Sequence, residues 1–208
     1  MSRERFDQPG DPVARLGTVG CALLLLSPPV LAAEATSVRS YPLPGHGTLD
    51  LTVPSSWKES VSRPPADLPP TIEFSPASGS EFVIQVTPIW SLSQDGDPDL
   101  AEPETIRGFV EKVGRRQLDH AIEREINLKE IAGPKARGYL FTITDRAPAT
   151  GEWKYLTAGA VGVDGLLLSF TILTNSPDSG DRDRALRMIK QSRYAAAAPS
   201  SEGAAGGG

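Results

Sequence analysis

Leu166-Leu167-Leu168-Ser169-Phe170-Thr171-Ile172-Leu173 decides the fold. The run is rich in β-branched and aromatic residues and is largely apolar at odd and even positions alike. Successive strand side chains point to opposite faces, so a strand with one wet face should alternate apolar and polar. This one does not, and it is expected in a sheet covered on both faces. Just before it, Asp164-Gly165 follows another apolar stretch that ends at Val163. A two-residue type I′ turn needs φ > 0 at both central positions, which Asp-Gly accepts. Residues 153–163 and 166–173 therefore read as a hairpin. Residues 138–144 form a third strand of the same kind, reached through a loop that holds Pro148 and Gly151.

N-terminal to these strands, Thr48-Leu-Asp-Leu-Thr-Val53 alternates and is stopped by Pro54; residues 57–61, 71–74 and 81–88 supply further strands. In the last of these, Phe82, Ile84 and Val86 share a face. Residues 34–46 read as extended and loose, with Pro42, Pro44, Gly45 and Gly47 close together. Residues 63–70 are a Pro-rich loop and 91–102 a long polar one. Pro103 suits a first helical turn, where its missing N–H would have no partner. Ile106, Phe109, Val110, Val113, Ala121 and Ile122 then recur at spacings of three and four, which predicts an amphipathic helix to about Glu123. Gly108 and Gly114 each weaken it by about 1 kcal/mol relative to Ala. A second helix is predicted over about 179–193, with Ala185, Leu186 and Ile189 inward. Asp178, Asp181 and Asp183 stand near its positive end, as the helix dipole favours. The expected class is α+β, an antiparallel sheet flanked by helices.

The two ends read differently. Leu16 to Leu26 is an apolar run with Arg15 before it and Val30-Leu31-Ala32-Ala33 after it. That order of charge, apolar run and small residues is the layout of a secretory signal peptide, expected over 1–33 and too short to span a bilayer of about 30 Å. Residues 34–194 form one expected domain. From Ala195 to Gly208 the chain is Ala, Gly, Pro and Ser with one Glu, a composition expected to be disordered. The formal charge is −5, and the first 33 residues carry three Arg and three acids, so −5 survives their removal. A mildly acidic domain lacks the electrostatic footprint of a nucleic-acid binder. The single cysteine, Cys21, lies in the apolar run. Without it the chain has no disulfide and no thiol nucleophile.

The order of elements carries a resemblance. An opening strand ends in Val53-Pro54-Ser-Ser-Trp57, two strands, a long loop and a helix follow, then a meander of strands, and Ile189-Lys-Gln-Ser-Arg-Tyr194 closes the domain. Over about residues 41–194 this resembles the PsbP-like α/β/α sandwich superfamily, and especially its small exported, DcrB-like bacterial members with a stretch like Thr144-Asp-Arg-Ala-Pro-Ala-Thr-Gly-Glu-Trp-Lys-Tyr155. The resemblance implies binding and assembly roles, with no shared active site to carry over.

The residues themselves point away from common catalysis. There is no Gly-x-Ser-x-Gly elbow and no His-Glu-x-x-His. His46 sits in Gly-His-Gly, a turn signal, and His120 follows Asp119 on the predicted helix. Asp95, Asp97 and Asp99 could begin a calcium loop, but the pattern then needs Gly at position 6 and Glu at position 12. Leu100 and Ile106 stand there, so a solvated acidic loop is expected and no metal or cofactor. Trp90, where a strand meets the long loop, is the best aromatic candidate for a contact surface. Arg146 and Lys154 flank the 145–152 loop. The expected function is an exported, non-enzymatic accessory protein, periplasmic or secreted. Its expected partner is an envelope protein, bound through Trp90, Asp95, Asp97, Asp99, Arg146 and Lys154. A small-ligand or metal-binding module and an enzyme with an unrecognised site remain alternatives.

Overall fold

The computed structural model describes residues 34–64, 68–90 and 100–197. The secretory signal expected over 1–33 and Asp95, Asp97 and Asp99 lie outside the described residues. The described elements run β1 (Thr36–Leu43), β2 (Gly47–Pro54), β3 (Trp57–Ser62), β4 (Thr71–Pro76), β5 (Phe82–Ile89), α1 (Pro103–Arg115), β6 (Lys129–Ala132), β7 (Ala136–Thr144), β8 (Tyr155–Val163), β9 (Leu166–Thr174), α2 (Gly180–Lys190) and β10 (Arg193–Ala195). A 7-stranded sheet has the order β3-β4-β5-β9-β8-β7-β6, and a 3-stranded sheet the order β1-β2-β10. Every pairing is antiparallel. No helix among the described residues is long and apolar enough to cross a membrane.

The hairpin that organises the large sheet forms as its turn chemistry requires. Asp164 has φ 48 and Gly165 φ 91, and Val163 pairs with Leu166. From there β9 pairs with β8 on one side and β5 on the other. Its two-sided apolar character matches its surroundings. Leu168, Phe170 and Ile172 belong to the larger core cluster, whereas Leu167 belongs to a second one with Ile106, Val110, Phe141, Ala158 and Ala160.

The helix-flanked, PsbP-like α/β/α sandwich is not what forms. The molecule is β-rich, with two sheets and only two helices among the described residues. α1 covers the part of one face made by β7 and β8. The opposite face is covered chiefly by the small sheet, which buries Tyr41, Leu43, Leu49, Leu51 and Val53 against Phe74, Ile84, Val86 and Phe170; α2 adds Ala185, Met188 and Ile189 at its side. Face-to-face packing of two sheets buries an apolar layer from each, and here it replaces the second helical layer.

Three local differences from the expected elements accompany it. Residues 36–43, read as loose, pair with β2 along their whole length. The turn between them is closed by His46 N–H donating to the Leu43 carbonyl at 2.8 Å. Second, α1 ends at Arg115 rather than near Glu123. Ala121 instead forms a bridge with Asp145, and Ile122 is 56% exposed. Third, α2 ends at Lys190, and Arg193–Ala195 becomes a strand on β2. Ala195, read as the first residue of a disordered tail, pairs with Thr48.

Candidate functional site

The described members of the sequence-predicted contact set, Trp90, Arg146 and Lys154, fall at opposite ends of the large sheet. Trp90 follows Ile89, which pairs with Leu167 beside the Asp164-Gly165 turn. Arg146 and Lys154 flank the other end, where Tyr155 pairs with Thr174 and Thr174 with Phe82. At 3.3 Å per strand residue the separation is roughly 25 Å, so Trp90 does not share a surface with Arg146 and Lys154. Arg146 is also engaged by its own chain. Its Nη2 donates to the Ala121 carbonyl at 2.7 Å and its backbone N–H to the His120 carbonyl at 2.9 Å. Lys154 is exposed, with its backbone held by Asp145 and Asn175.

Trp90 acquires a partner that sequence reasoning did not connect to it. Its ring stacks on His46 with centroids 4.2 Å apart and an interplanar angle of 23°. His46 stands in the turn between β1 and β2, so the contact joins the small sheet to the end of β5. Tyr194 of β10 fixes that turn, its hydroxyl donating to the His46 carbonyl at 2.5 Å. Burial raises the Tyr194 phenol above its usual value. Trp90 is half-buried against the larger core cluster. Its indole N–H is buried and has no hydrogen-bond partner among the described residues. Leaving such a donor unmet costs about 1–3 kcal/mol, and it needs an explanation where it occurs.

A second cluster joins the two sheets at their edges. Glu59 on β3 accepts from the Tyr41 hydroxyl at 2.5 Å and from Arg39 Nη1 at 2.8 Å, both donors on β1. Arg39 Nη2 also reaches the Trp57 carbonyl at 3.3 Å. Burial, then the hydrogen bond to Glu59 and its charge, push the Tyr41 phenol well up. Burial, the largest influence on Glu59, opposes ionisation, but the hydrogen bonds from Tyr41 and Arg39 and the Arg39 charge outweigh it and hold the carboxyl low. Glu123 is held low in a related way. Burial again opposes ionisation, and the Thr144 N–H at 2.8 Å and hydroxyl at 2.9 Å donate to its two oxygens and prevail. Each of these shifts carries a pKa farther from neutral pH, and a general acid or base works best with a pKa near the operating pH. The clusters act as seams of the fold.

Cavities flank α2. One of about 270 Å³ is lined by Trp57, Glu81, Phe82, Asp181 and Arg184. A neighbour of about 250 Å³ shares Arg184 and adds Glu34, Thr52, Arg187 and Met188. Arg184 is held between Asp181 and Glu34. Trp57, 4% exposed, also has an indole N–H without a partner among the described residues. Among the described residues, no three or more His, Cys, Asp or Glu side chains converge as metal ligands would. Comparison with family models and with curated protein sequences finds no match.

Proposed function

We propose that this chain is an exported, non-catalytic binding protein that meets a macromolecular partner of the cell envelope at the end of the large sheet where Trp90 stacks on His46. The observation that carries the reading is this aromatic pair, braced by Tyr194, with a buried indole N–H that lacks an acceptor among the described residues. Tryptophan is enriched among residues that dominate interface energy, and its N–H usually finds a partner once buried. One of the longest connections in the fold leaves from this point, between β5 and α1. Binding residues concentrate on loops that a rigid scaffold positions. Export rests on the apolar run 16–26 with its flanking Arg15 and small residues up to Ala33, and makes the periplasm or the exterior the place of action.

Photocrosslinking tests the location of the surface. A benzoylphenylalanine is placed at position 90 in one protein and at Thr150, at the other end of the sheet, in another. Both proteins are irradiated in the envelope fraction. Discrete adducts from position 90 and none from position 150 are expected. Adducts from position 150 alone would move the interface away from Trp90. Turnover of a small substrate, abolished by one side-chain change, would remove the non-catalytic reading.

A further inference from the structure

A third cleft, of about 210 Å³, separates α2 from the β6–β8 part of the large sheet. α2 contributes Arg182, Leu186 and Lys190, spaced i, i+4 and i+8, which places them in one stripe along the helix. The edge strand β6 contributes Lys129 and Ile131; Leu140, Thr142 and Thr157 form the floor. The helix is seated closely at this end. A side chain at Gly133, in the turn between β6 and β7, would stand 1.9 Å from the Lys190 carbonyl oxygen. Only a residue without Cβ allows that approach, and it sets Lys190 over the cleft.

The polar groups facing this cleft are nearly all donors. Lys129 and Lys190 have no ion-pair partner among the described residues. Arg182 has only a 3.7 Å contact with Asp183. The Thr142 and Thr157 hydroxyl oxygens lie 3.1 Å apart, in ordinary hydrogen-bond range. One O–H is used between them, and the other has no acceptor among the described residues. Glu130 is the one acid at the cleft's edge, but it pairs with Tyr139. Strand alternation therefore turns its side chain to the opposite face of the sheet, where Tyr139 packs with α1. Three cations and a hydroxyl approach from the helix, the strand edge and the floor, on a protein whose net charge is −5.

We propose that this cleft binds the phosphate group of an organic phosphate ester, whose organic part lies against Ile131, Leu140 and Leu186. A planar carboxylate offers two oxygens, whereas a phosphate monoester offers three, spread in directions that donors on three sides can meet. Lysine serves phosphate as a point charge and arginine as a fork.

Calorimetric titration of the purified full chain tests the site, with hexyl phosphate, inorganic phosphate and hexanoate as soluble probes. Vesicles of phosphatidic acid in phosphatidylcholine, against phosphatidylcholine alone, separate a lipid phosphomonoester headgroup from a free ester. One-to-one binding of hexyl phosphate, tighter than that of inorganic phosphate or hexanoate, is the expected result. Lys129→Ala and Lys190→Ala should each weaken it about tenfold, the scale of one charge-assisted hydrogen bond. Thr157→Val should weaken it while keeping the shape of the floor, and Lys58→Ala on β3 should leave it unchanged. Vesicle binding that Lys190→Ala reduces, without binding of hexyl phosphate, supports the same chemistry from a lipid. No binding of any phosphate probe overturns the proposal. So does binding unaffected by both lysine changes, or hexanoate binding as tightly as hexyl phosphate. Circular dichroism of each variant confirms that the fold is intact.

Discussion

Phe170→Ala probes the layer between the two sheets. Phe170 is 2% exposed in the larger core cluster and stands opposite Val86 on one side and Gly159 on the other. Its ring covers bare backbone of β8, because a Cβ at Gly159 would lie 2.8 Å from Phe170 Cζ. Removing the ring loses the transfer energy of a buried aromatic and leaves a cavity. Gly159 has no side chain to move into that space, and β9 is paired on both sides. The loss should fall at about 3–5 kcal/mol. With a urea m-value of about 2 kcal/mol/M, the midpoint drops by roughly 1.5–2.5 M at unchanged slope. Leu173→Ala, half-buried on the other face, should lose well under half as much. Equilibrium urea unfolding followed by far-ultraviolet circular dichroism gives both values. A Phe170→Ala loss below about 1 kcal/mol, or one no larger than that of Leu173→Ala, would refute the placement of β9 at the centre of a two-sheet core.

Other expectations follow from single contacts. Glu59 is held below its ordinary value of 4.5, so its stabilising effect is present above that value and is lost as pH falls through the lower folded value. Its side chain is 37% exposed, so solvent screening keeps the effect small. Urea midpoints of the parent should therefore fall slightly more steeply below pH 4.5 than those of Glu59→Gln, and identical pH profiles would mean the seam between β1 and β3 contributes nothing. Gly133→Ala should destabilise by about 1–3 kcal/mol, as overpacking does, because the Lys190 carbonyl is backbone and cannot swing aside; an unchanged melting temperature would place α2 elsewhere. Intact-mass analysis of exported protein should find an N-terminus within a few residues of Ala33, and a full-length cytoplasmic product would contradict export.

Much of the large sheet was legible in the sequence because its signals are local. Asp164-Gly165 encodes its own positive φ values, and a run apolar on both parities, 166–173, has to be covered twice. β1 was hidden because its strand character is not local. Thr36, Ser37, Arg39 and Ser40 give it little apolar density, and only Tyr41 and Leu43 are buried. Its order comes from pairing with β2, and Pro42 is tolerated because β1 is an edge strand. The end of α1 was overrun because Ala121 and Ile122 continue its spacing, although Ala121 is buried through a bridge to β7's extension and Ile122 faces out. Trp90 could be singled out as a large aromatic at a strand end. Its stacking on His46 could not, since that contact depends on how two separate sheets are placed. The sequence also does not say which loops share an end of the sheet, so Arg146 and Lys154 were grouped with Trp90 although they sit far from it.

Recognition through Trp90 is reached most directly by one affinity measurement. The envelope protein crosslinked from position 90 is purified, and its binding to the parent, Trp90→Ala and Lys154→Ala is measured side by side, with circular dichroism confirming the fold of each. Loss of a central tryptophan is expected to cost 2 kcal/mol or more, which weakens binding by about thirtyfold or greater, while Lys154→Ala binds like the parent. Undiminished binding by folded Trp90→Ala would contradict the assignment of this end of the sheet as the recognition surface.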